Sequence, residues 1–310
     1  MLDTKPILII APCYNEEVGI KSFLNSLEPV CEGSRSNFEV VIVDDGSTDG
    51  TAKILEKFEF EGANISLTIL RLDFNAGHQE AIFQGLIYAK STEADKCVIL
   101  DSDGQDDVAL IPKMIAFDDC DVVHILRKKR KESLLFRFSY KIYKIIFKII
   151  TGKSIHFGNF CMINRSVVNR AAGTGFVHFP AFLSTFVQRK KYLTADRKQR
   201  EAGKSKMKFT DLLNHAIKSF IQYSEKLLMV CLWLFIGLAI ALVLFAAYVL
   251  YEKLFTDKAI LGWASTIILG LFNGALIALS TFVIGTQLLK NSHGQNIKFN
   301  ATIIKKERQN

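Results

Sequence analysis

The chain has 310 residues, of which 49% are hydrophobic and 23% charged, with a formal net charge of +8 and a mean hydropathy of +0.21. That length gives one large or two ordinary domains with ample burial for a core, and the positive hydropathy places part of the apolar content in a membrane. Residues 1–126 carry a net charge of −14 and residues 127–310 one of +22; this division excludes disorder, argues against a nucleic-acid binder and suits an acidic soluble module held against anionic lipid.

In chain order, short apolar runs at Ile7–Ala11, Phe38–Val43, Ser66–Leu72, Cys97–Leu100 and Asp121–Leu126 predict strands, and Glu17–Val30, Gly50–Phe60, Gln79–Lys90 and Val108–Phe117 predict helices. Strands that are apolar throughout and alternate with helices predict a mostly parallel, Rossmann-like α/β sheet covered on both faces. Ligands of such sheets bind at the carboxyl ends of the strands. No basic leader precedes the first strand-sized run, so it is not read as a signal peptide. The six cysteines are scattered, with no C-x-x-C pair, which argues against a disulfide framework or zinc site and for a reducing cytosolic face.

Two amphipathic segments follow. In 133–151, Arg137, Lys141, Lys144 and Lys148 form a basic stripe beside isoleucines and phenylalanines; in 208–226, Phe209, Leu212, Leu213, Ala216, Ile217 and Phe220 recur at helical spacing. The reading preferred to ordinary core helices is a pair of interfacial helices whose Lys and Arg reach lipid phosphates. No charged residue occurs over the 25 residues from Leu227 to Tyr251, or over the 31 from Ala259 to Leu289. About 20 apolar residues suffice to cross a bilayer, so two spans are predicted, at 227–251 and 260–289. Lysines before the first span and the basic tail, 290–310, place both flanks on the cytoplasmic side.

Three polar clusters fall at strand ends. After the first strand, Pro12 fixes a turn, Tyr14 offers a flat face to a base and Glu16 an acceptor to a base or ribose; an ordinary loop before a helix is the alternative. After the second, the pair Asp44-Asp45 suits a uracil N–H or ribose hydroxyls, whereas Ser47, Thr48 and Asp49 suit helix capping. After the fourth, Asp101, Asp103 and Gln105 place oxygens at i, i+2 and i+4, a set for Mg²⁺ or Mn²⁺ completed by a nucleotide diphosphate, with Asp106 or Asp107 as the cap of the next helix. Neither a P-loop nor a G-x-G-x-x-G fingerprint is present.

These motifs, with Asn75-Ala76-Gly77-His78, Gly158-Asn159-Phe160, Arg200 to Lys206 and the two spans, resemble the inverting GT-A glycosyltransferases of family two, in the polyprenyl-phosphate branch. The resemblance covers nearly the whole chain. It implies a GT-A catalytic core over 1–132, an acceptor-side part over 133–226, a transmembrane hairpin over 227–289 and a basic cytoplasmic tail over 290–310. It implies nucleotide binding by Pro12, Tyr14, Glu16, Asp44 and Asp45, metal and donor diphosphate held by Asp101, Asp103 and Gln105, and acceptor phosphate held by Arg127 with Arg130 and Arg137. Asp101, Asp103 and Arg127 are then the catalytic residues. The implied partners are a nucleotide-diphosphate sugar (UDP in preference to GDP), polyprenyl phosphate and the lipid bilayer of a bacterial inner membrane; a homo-oligomer stays open. Two alternatives are another envelope glycolipid or polysaccharide acceptor, and a non-catalytic anchor that binds nucleotide sugar. One residue departs from the pattern: Asn159 stands where the family usually has Asp, and His78 and His156 are nearby substitutes as acid–base or phosphate contacts.

Overall fold

The computed structural model describes residues 5–127, 145, 147–149, 152, 158–186, 189–195, 221–256, 262–292 and 301–306. These fall into two compact units, one built on a sheet and one on a helical hairpin.

In the sheet unit the strands are β1 (Ile7–Cys13), β2 (Phe38–Asp44), β3 (Ile65–Leu72), β4 (Lys96–Ile99), β5 (Val122–Arg127), β6 (Cys161–Asn164), β7 (Lys190–Ala195) and β8 (Ala301–Lys306), in the spatial order β7-β5-β6-β4-β1-β2-β3-β8. Four of the strand pairs are parallel, and β3–β8, β4–β6 and β5–β6 are antiparallel. The five expected strands are all present. Alternate residues of the central strands enter opposite cores: Ile9, Ala11, Val40 and Ile42 pack with Phe23, Leu24 and Leu27 of helix α1 (Ile20–Glu32). Leu8, Ile10, Val41 and Val43 pack with Ala81, Ile82 and Leu86 of helix α3 (His78–Ser91). Burial on both faces is why these strands read as unbroken apolar runs.

Helix α3 lies close on β1 because position 85 is glycine; a Cβ there would stand 2.4 Å from Cγ2 of Ile10. The first residue of α3, His78, follows the short loop that leaves β3 and so lies at the carboxyl ends of the strands. Helix α2 (Thr51–Lys57) is shorter than the expected 50–60 because the chain turns extended at Phe58, which is buried. The expected 108–117 helix is a 3₁₀ turn (Val108–Leu110) followed by helix α4 (Ile111–Ile115), with Pro112 in its first turn. Beyond β6 come helices α5 (Arg165–Thr174) and α6 (Phe179–Phe186).

Residues 301–306, inside the stretch expected to be a tail, form β8 and pair antiparallel with β3, covering that sheet edge. Ile304 packs against one core, and Lys306 Nζ donates to the carbonyls of Glu56 and Phe58.

The second unit contains a hairpin of α7 (Ser224–Phe255) and α8 (Trp263–Ser292); α7 encloses the span expected at 227–251, and α8 begins three residues inside the one expected at 260–289 and runs past its end. At 1.5 Å per residue either exceeds the ~30 Å hydrocarbon layer. Small residues of α8 face α7: Ala275 and Ala278 are buried, and a Cβ at Gly285 would stand 2.3 Å from Cδ2 of Leu228. The expected interfacial segments 133–151 and 208–226 lie outside the described residues except at 145, 147–149 and 221–226.

Candidate functional site

Strands β2 and β3 follow on one side of β1 and β4 on the other, so the topological switch point lies between β1 and β4. A cleft of about 290 Å³ opens there, lined by Pro12, Cys13, Tyr14, Glu16, Asp45, Asn75, Gly77, His78, Ala81, Asp101, Ser102 and Asp103. A larger cavity, about 880 Å³, lies at the other end of the strands beside Pro6, Phe38 and Ile65, away from all three strand-end clusters.

Hydrogen bonds between loops build the cleft. Ser102 Oγ donates to the Pro12 carbonyl at 2.8 Å, joining the β4 loop to the end of β1. Asn15, in the left-handed region at φ 52°, donates its N–H to Ser47 Oγ (2.9 Å), and its Oδ1 accepts from the Thr48 N–H (2.8 Å). Glu17 is held in the same junction, its carboxylate accepting from the Gly50 N–H at 3.0 Å. This engagement explains why α1 starts three residues later than the expected Glu17.

Adjacent strand residues point to opposite faces, and this separates the acidic pair at the end of β2. Asp45 lines the cleft, and its two oxygens accept from the N–H groups of Ala76 (2.7 Å) and Gly77 (2.9 Å). Burial pushes its carboxyl above the ordinary range, against the downward pull of those two bonds. Asp44 is not among the lining residues; its Oδ1 accepts from the Ser47 N–H at 2.9 Å, and its Oδ2 lies 3.8 Å from Nε of Arg71. The Asp45–Ala76–Gly77 link depends on Gly46 (φ 68°), where a Cβ would stand 2.6 Å from the Phe74 carbonyl carbon.

Asp101 and Asp103 both line the cleft. Gly104 (φ 72°) turns the chain so that the Gln105 N–H donates to Asp103 Oδ1 at 3.1 Å; Gln105 is not among the lining residues. Asp106, buried, accepts from the Asp101 N–H at 3.2 Å, and Asp107 is the cap, accepting from the Ala109 N–H. Among the described residues no three His, Cys, Asp or Glu side chains make a metal cage. Two carboxylates at an open strand end fit a hard divalent ion that draws its other oxygens from water and a diphosphate.

Behind the carboxylates lies a polar chain. His78 Nε2 is 3.3 Å from Asp101 Oδ1 and 2.8 Å from Asn159 Nδ2. Asn159 Oδ1 faces Nε2 of Gln79 at 3.5 Å, and Gln79 Oε1 accepts from the Phe179 N–H at 2.6 Å. Burial alone would lower the His78 pKa; the Asp101 carboxylate, with Asp45 and Asp103 beyond it, outweighs burial and raises it. Gln79 and Ser102 were not anticipated as site residues, because a lone polar residue in a helix or loop carries no pattern. Arg127 ends β5, with its side chain outside the described residues, as are Arg130, Arg137, His156 and residues 200–206.

The family model described as Glycosyl transferase family 2 matches residues 8–171. The chain is 29% identical over 294 residues, 89% of its length and 86% of the relative's, to YkcC of Bacillus subtilis (strain 168), named an uncharacterized glycosyltransferase. It is 28% identical over 225 residues, 69% and 67% of the two lengths, to the undecaprenyl-phosphate 4-deoxy-4-formamido-L-arabinose transferase of Salmonella choleraesuis (strain SC-B67). In fold it is similar to glucosyl-3-phosphoglycerate synthase from Mycobacterium tuberculosis, solved with Mn²⁺, UDP and glucosyl-3-phosphoglycerate. The TM-score is 0.52 at 14% identity, covering 72% of this chain and 80% of that one.

Proposed function

Because the chain belongs to glycosyl transferase family 2, we propose that it is an inverting membrane enzyme. It moves a sugar from a nucleotide-diphosphate donor, a UDP-sugar, to polyprenyl phosphate, giving polyprenyl-phosphate sugar and the nucleoside diphosphate. The observation that carries this reading is the convergence of Tyr14, Glu16, Asp45, Asp101 and Asp103 on one cleft at the switch point. Two helices long and apolar enough to cross a bilayer support a lipid acceptor, as does similarity to a relative named for undecaprenyl phosphate.

Tyr14 and Glu16 receive the nucleoside, and Asp45 acts by holding the loop at Ala76 and Gly77 that forms the opposite wall. Asp101 and Asp103 would hold Mg²⁺ or Mn²⁺, which when bound supplies positive charge against the departing diphosphate. Arg127, with Arg130 and Arg137, grips the acceptor phosphate, for which a planar guanidinium is suited. A phosphate oxygen forms the new bond to the anomeric carbon from the face opposite the diphosphate, as the bond from that carbon to the diphosphate breaks. With a second phosphate pKa of ~6, the nucleophile is already largely ionised at neutral pH, so Asn159 costs the reaction no essential base. Positioning and electrostatic stabilisation then carry the rate.

β8 follows the hairpin in sequence and pairs with β3, which precedes it, so a two-span hairpin returns both its flanks to one side. The lysines near both ends of the hairpin make that side cytoplasmic. The test is sugar transfer by the purified chain in lipid, with undecaprenyl phosphate, a panel of UDP- and GDP-sugars, and Mg²⁺ or Mn²⁺ against EDTA. The expected result is a chelator-sensitive glycolipid that Asp103→Ala abolishes. Protein that binds a nucleotide sugar but forms no product across the panel would overturn the lipid-phosphate acceptor.

A further inference from the structure

The helix α8 carries a polar series for which its own hairpin offers no use. Between Leu227 and Leu250, α7 has no Ser, Thr, Asn, Gln or charged residue, so the hairpin does not need such side chains to form. In α8, by contrast, Thr266, Asn273, Ser280 and Gln287 recur every seven residues, and all four are exposed. At 100° per residue they drift only ~20° per repeat and, with exposed Gly270, Ile277 and Ile284, occupy one stripe. Three other hydroxyls of the helix are satisfied locally: Ser265 donates to the Gly262 carbonyl, Thr281 to Ile277 and Thr286 to Val283. Among the described residues, no hydrogen bond joins Asn273 or Ser280 to a partner.

Depth separates the four. Leu276 is the midpoint of the apolar stretch Ala264–Leu288. Asn273 lies about 4.5 Å from it along the axis and Ser280 about 6 Å, both deep in hydrocarbon, whereas Thr266 and Gln287 lie about 15 Å away, at the boundary. In hydrocarbon an amide has no water to turn to, and a neighbouring helix is its usual partner.

We propose that this stripe is the contact between two copies of the chain, paired through α8 with Asn273 against Asn273. Copies of one chain insert the same way, so their α8 helices run parallel, and in a parallel pair with a seven-residue seam equivalent positions face each other. The side chains fit such self-pairing: an amide and a hydroxyl each both donate and accept, so each complements its own copy. A groove of about 510 Å³ beside the stripe, lined by Leu228, Ile277, Ser280, Ile284 and Leu288, leaves room for the approaching helix. The inference rests on the reading of the hairpin as membrane-spanning.

The test uses the full chain with Cys231→Ala, reconstituted in phosphatidylethanolamine–phosphatidylglycerol vesicles. Under mild oxidation, Asn273→Cys and Ser280→Cys are expected to form covalent dimers. Phe272→Cys and Val243→Cys, exposed on other faces, are not. In a fluorescence-transfer dilution series without added cysteines, Asn273→Leu is expected to weaken association about 5- to 30-fold, the range that a membrane hydrogen bond confers. Asn273→Gln keeps it, and Thr281→Val, whose hydroxyl is already bonded, leaves it unchanged. Because Asn273→Leu makes the span more apolar, loss of insertion cannot mimic the result. Equal cross-linking at all four positions, or dissociation of Asn273→Leu no easier than wild type, overturns the pairing. Wild-type chain that an alkaline wash strips from the vesicles overturns the membrane reading beneath it, whereas chain that stays in the bilayer as a monomer overturns the pairing alone.

Discussion

Gly46→Ala probes how the end of β2 builds the cleft wall. Gly46 has φ 68°, and an added Cβ would lie 2.6 Å from the Phe74 carbonyl carbon, 2.8 Å from the Asn75 nitrogen and 2.9 Å from the Phe74 Cα. All three are backbone atoms, so no rotamer change relieves them. Carbon pairs prefer ~3.5 Å, so the 74–77 loop must retreat by nearly 1 Å. A retreat of that size stretches the 2.7 and 2.9 Å bonds from Ala76 and Gly77 to Asp45 beyond the hydrogen-bonding range. Each such bond to a charged acceptor contributes roughly 1.5–3 kcal/mol, and burial already opposes the Asp45 charge, so we take the lower figure, about 3 kcal/mol for the two. The left-handed backbone adds roughly 1–2 kcal/mol, for about 4–5 in all. Gly175→Ala is the control: its φ is 71°, its nearest neighbour would be an ordinary 3.9 Å away, and it does not line the cleft, so only the backbone cost of ~1–3 kcal/mol applies. Thermal unfolding should fall by roughly 10–15 °C in Gly46→Ala, more than in Gly175→Ala. Titration with UDP and Mn²⁺ should show at least tenfold weaker binding in the first variant and none lost in the second. If Gly46→Ala binds nucleotide like wild type, the Asp45 link does not shape the cleft.

Arg127→Ala should raise the KM for polyprenyl phosphate roughly 10- to 100-fold, the range for a lost charge-assisted contact, while nucleotide affinity stays at the wild-type value; Arg127→Lys should recover only part. A parallel loss of nucleotide affinity would move Arg127 to the donor side. Burial, reinforced by Lys190, holds the His124 imidazole down at about 3. A base whose pKa is lowered by folding contributes stability above its unfolded value of ~6.5 and loses it as pH falls, by about 1.4 kcal/mol per unit, or roughly 3 kcal/mol by pH 4. Denaturant titrations at pH 7, 5 and 4 should therefore show a flatter acid slope for His124→Phe; equal slopes would mean that other groups dominate acid unfolding.

What the sequence disclosed follows from how each feature is written in it. The five expected strands are legible because both faces are buried, so apolar residues run without interruption, as in Ile7–Cys13 and in the shorter Cys97–Leu100. β6, β7 and β8 are not: Cys161–Asn164 is short and runs straight into a helix, and β7 and β8 are half-exposed, lysine-bearing edge strands, β8 acquiring its pairing from β3, more than 200 positions away. Tyr14, Glu16, Asp45, Asp101 and Asp103 meet as expected because each lies just beyond the carboxyl end of β1, β2 or β4, three neighbouring parallel strands. Asp44 and Gln105 shared those loops but not the cleft, since a strand's alternation and a glycine turn decide where neighbours point. The His78–Asn159–Gln79 chain joins residues about 80 positions apart, and no local pattern encodes it.

That chain bears on how Asn159 should be understood. Gln79 is oriented by the Phe179 N–H, which can only donate, so its amide oxygen faces Phe179 and its NH₂ faces Asn159. The Asn159 oxygen then faces Gln79, and its NH₂ faces His78 Nε2. A carboxylate at 159 would accept at both ends, leaving His78 to carry a proton on Nε2 and setting a further negative charge near Asp101. With asparagine, the same position links α3 to the start of β6 without that charge. Asn159→Asp should therefore fold, because the Gln79 side accepts either residue. What it changes is the charge behind the two carboxylates of the cleft, which nucleotide titrations with and without Mn²⁺ read directly. Tighter metal-dependent binding in Asn159→Asp would mark the added charge as reaching the ion. Unchanged binding would confine residue 159 to holding His78 in place.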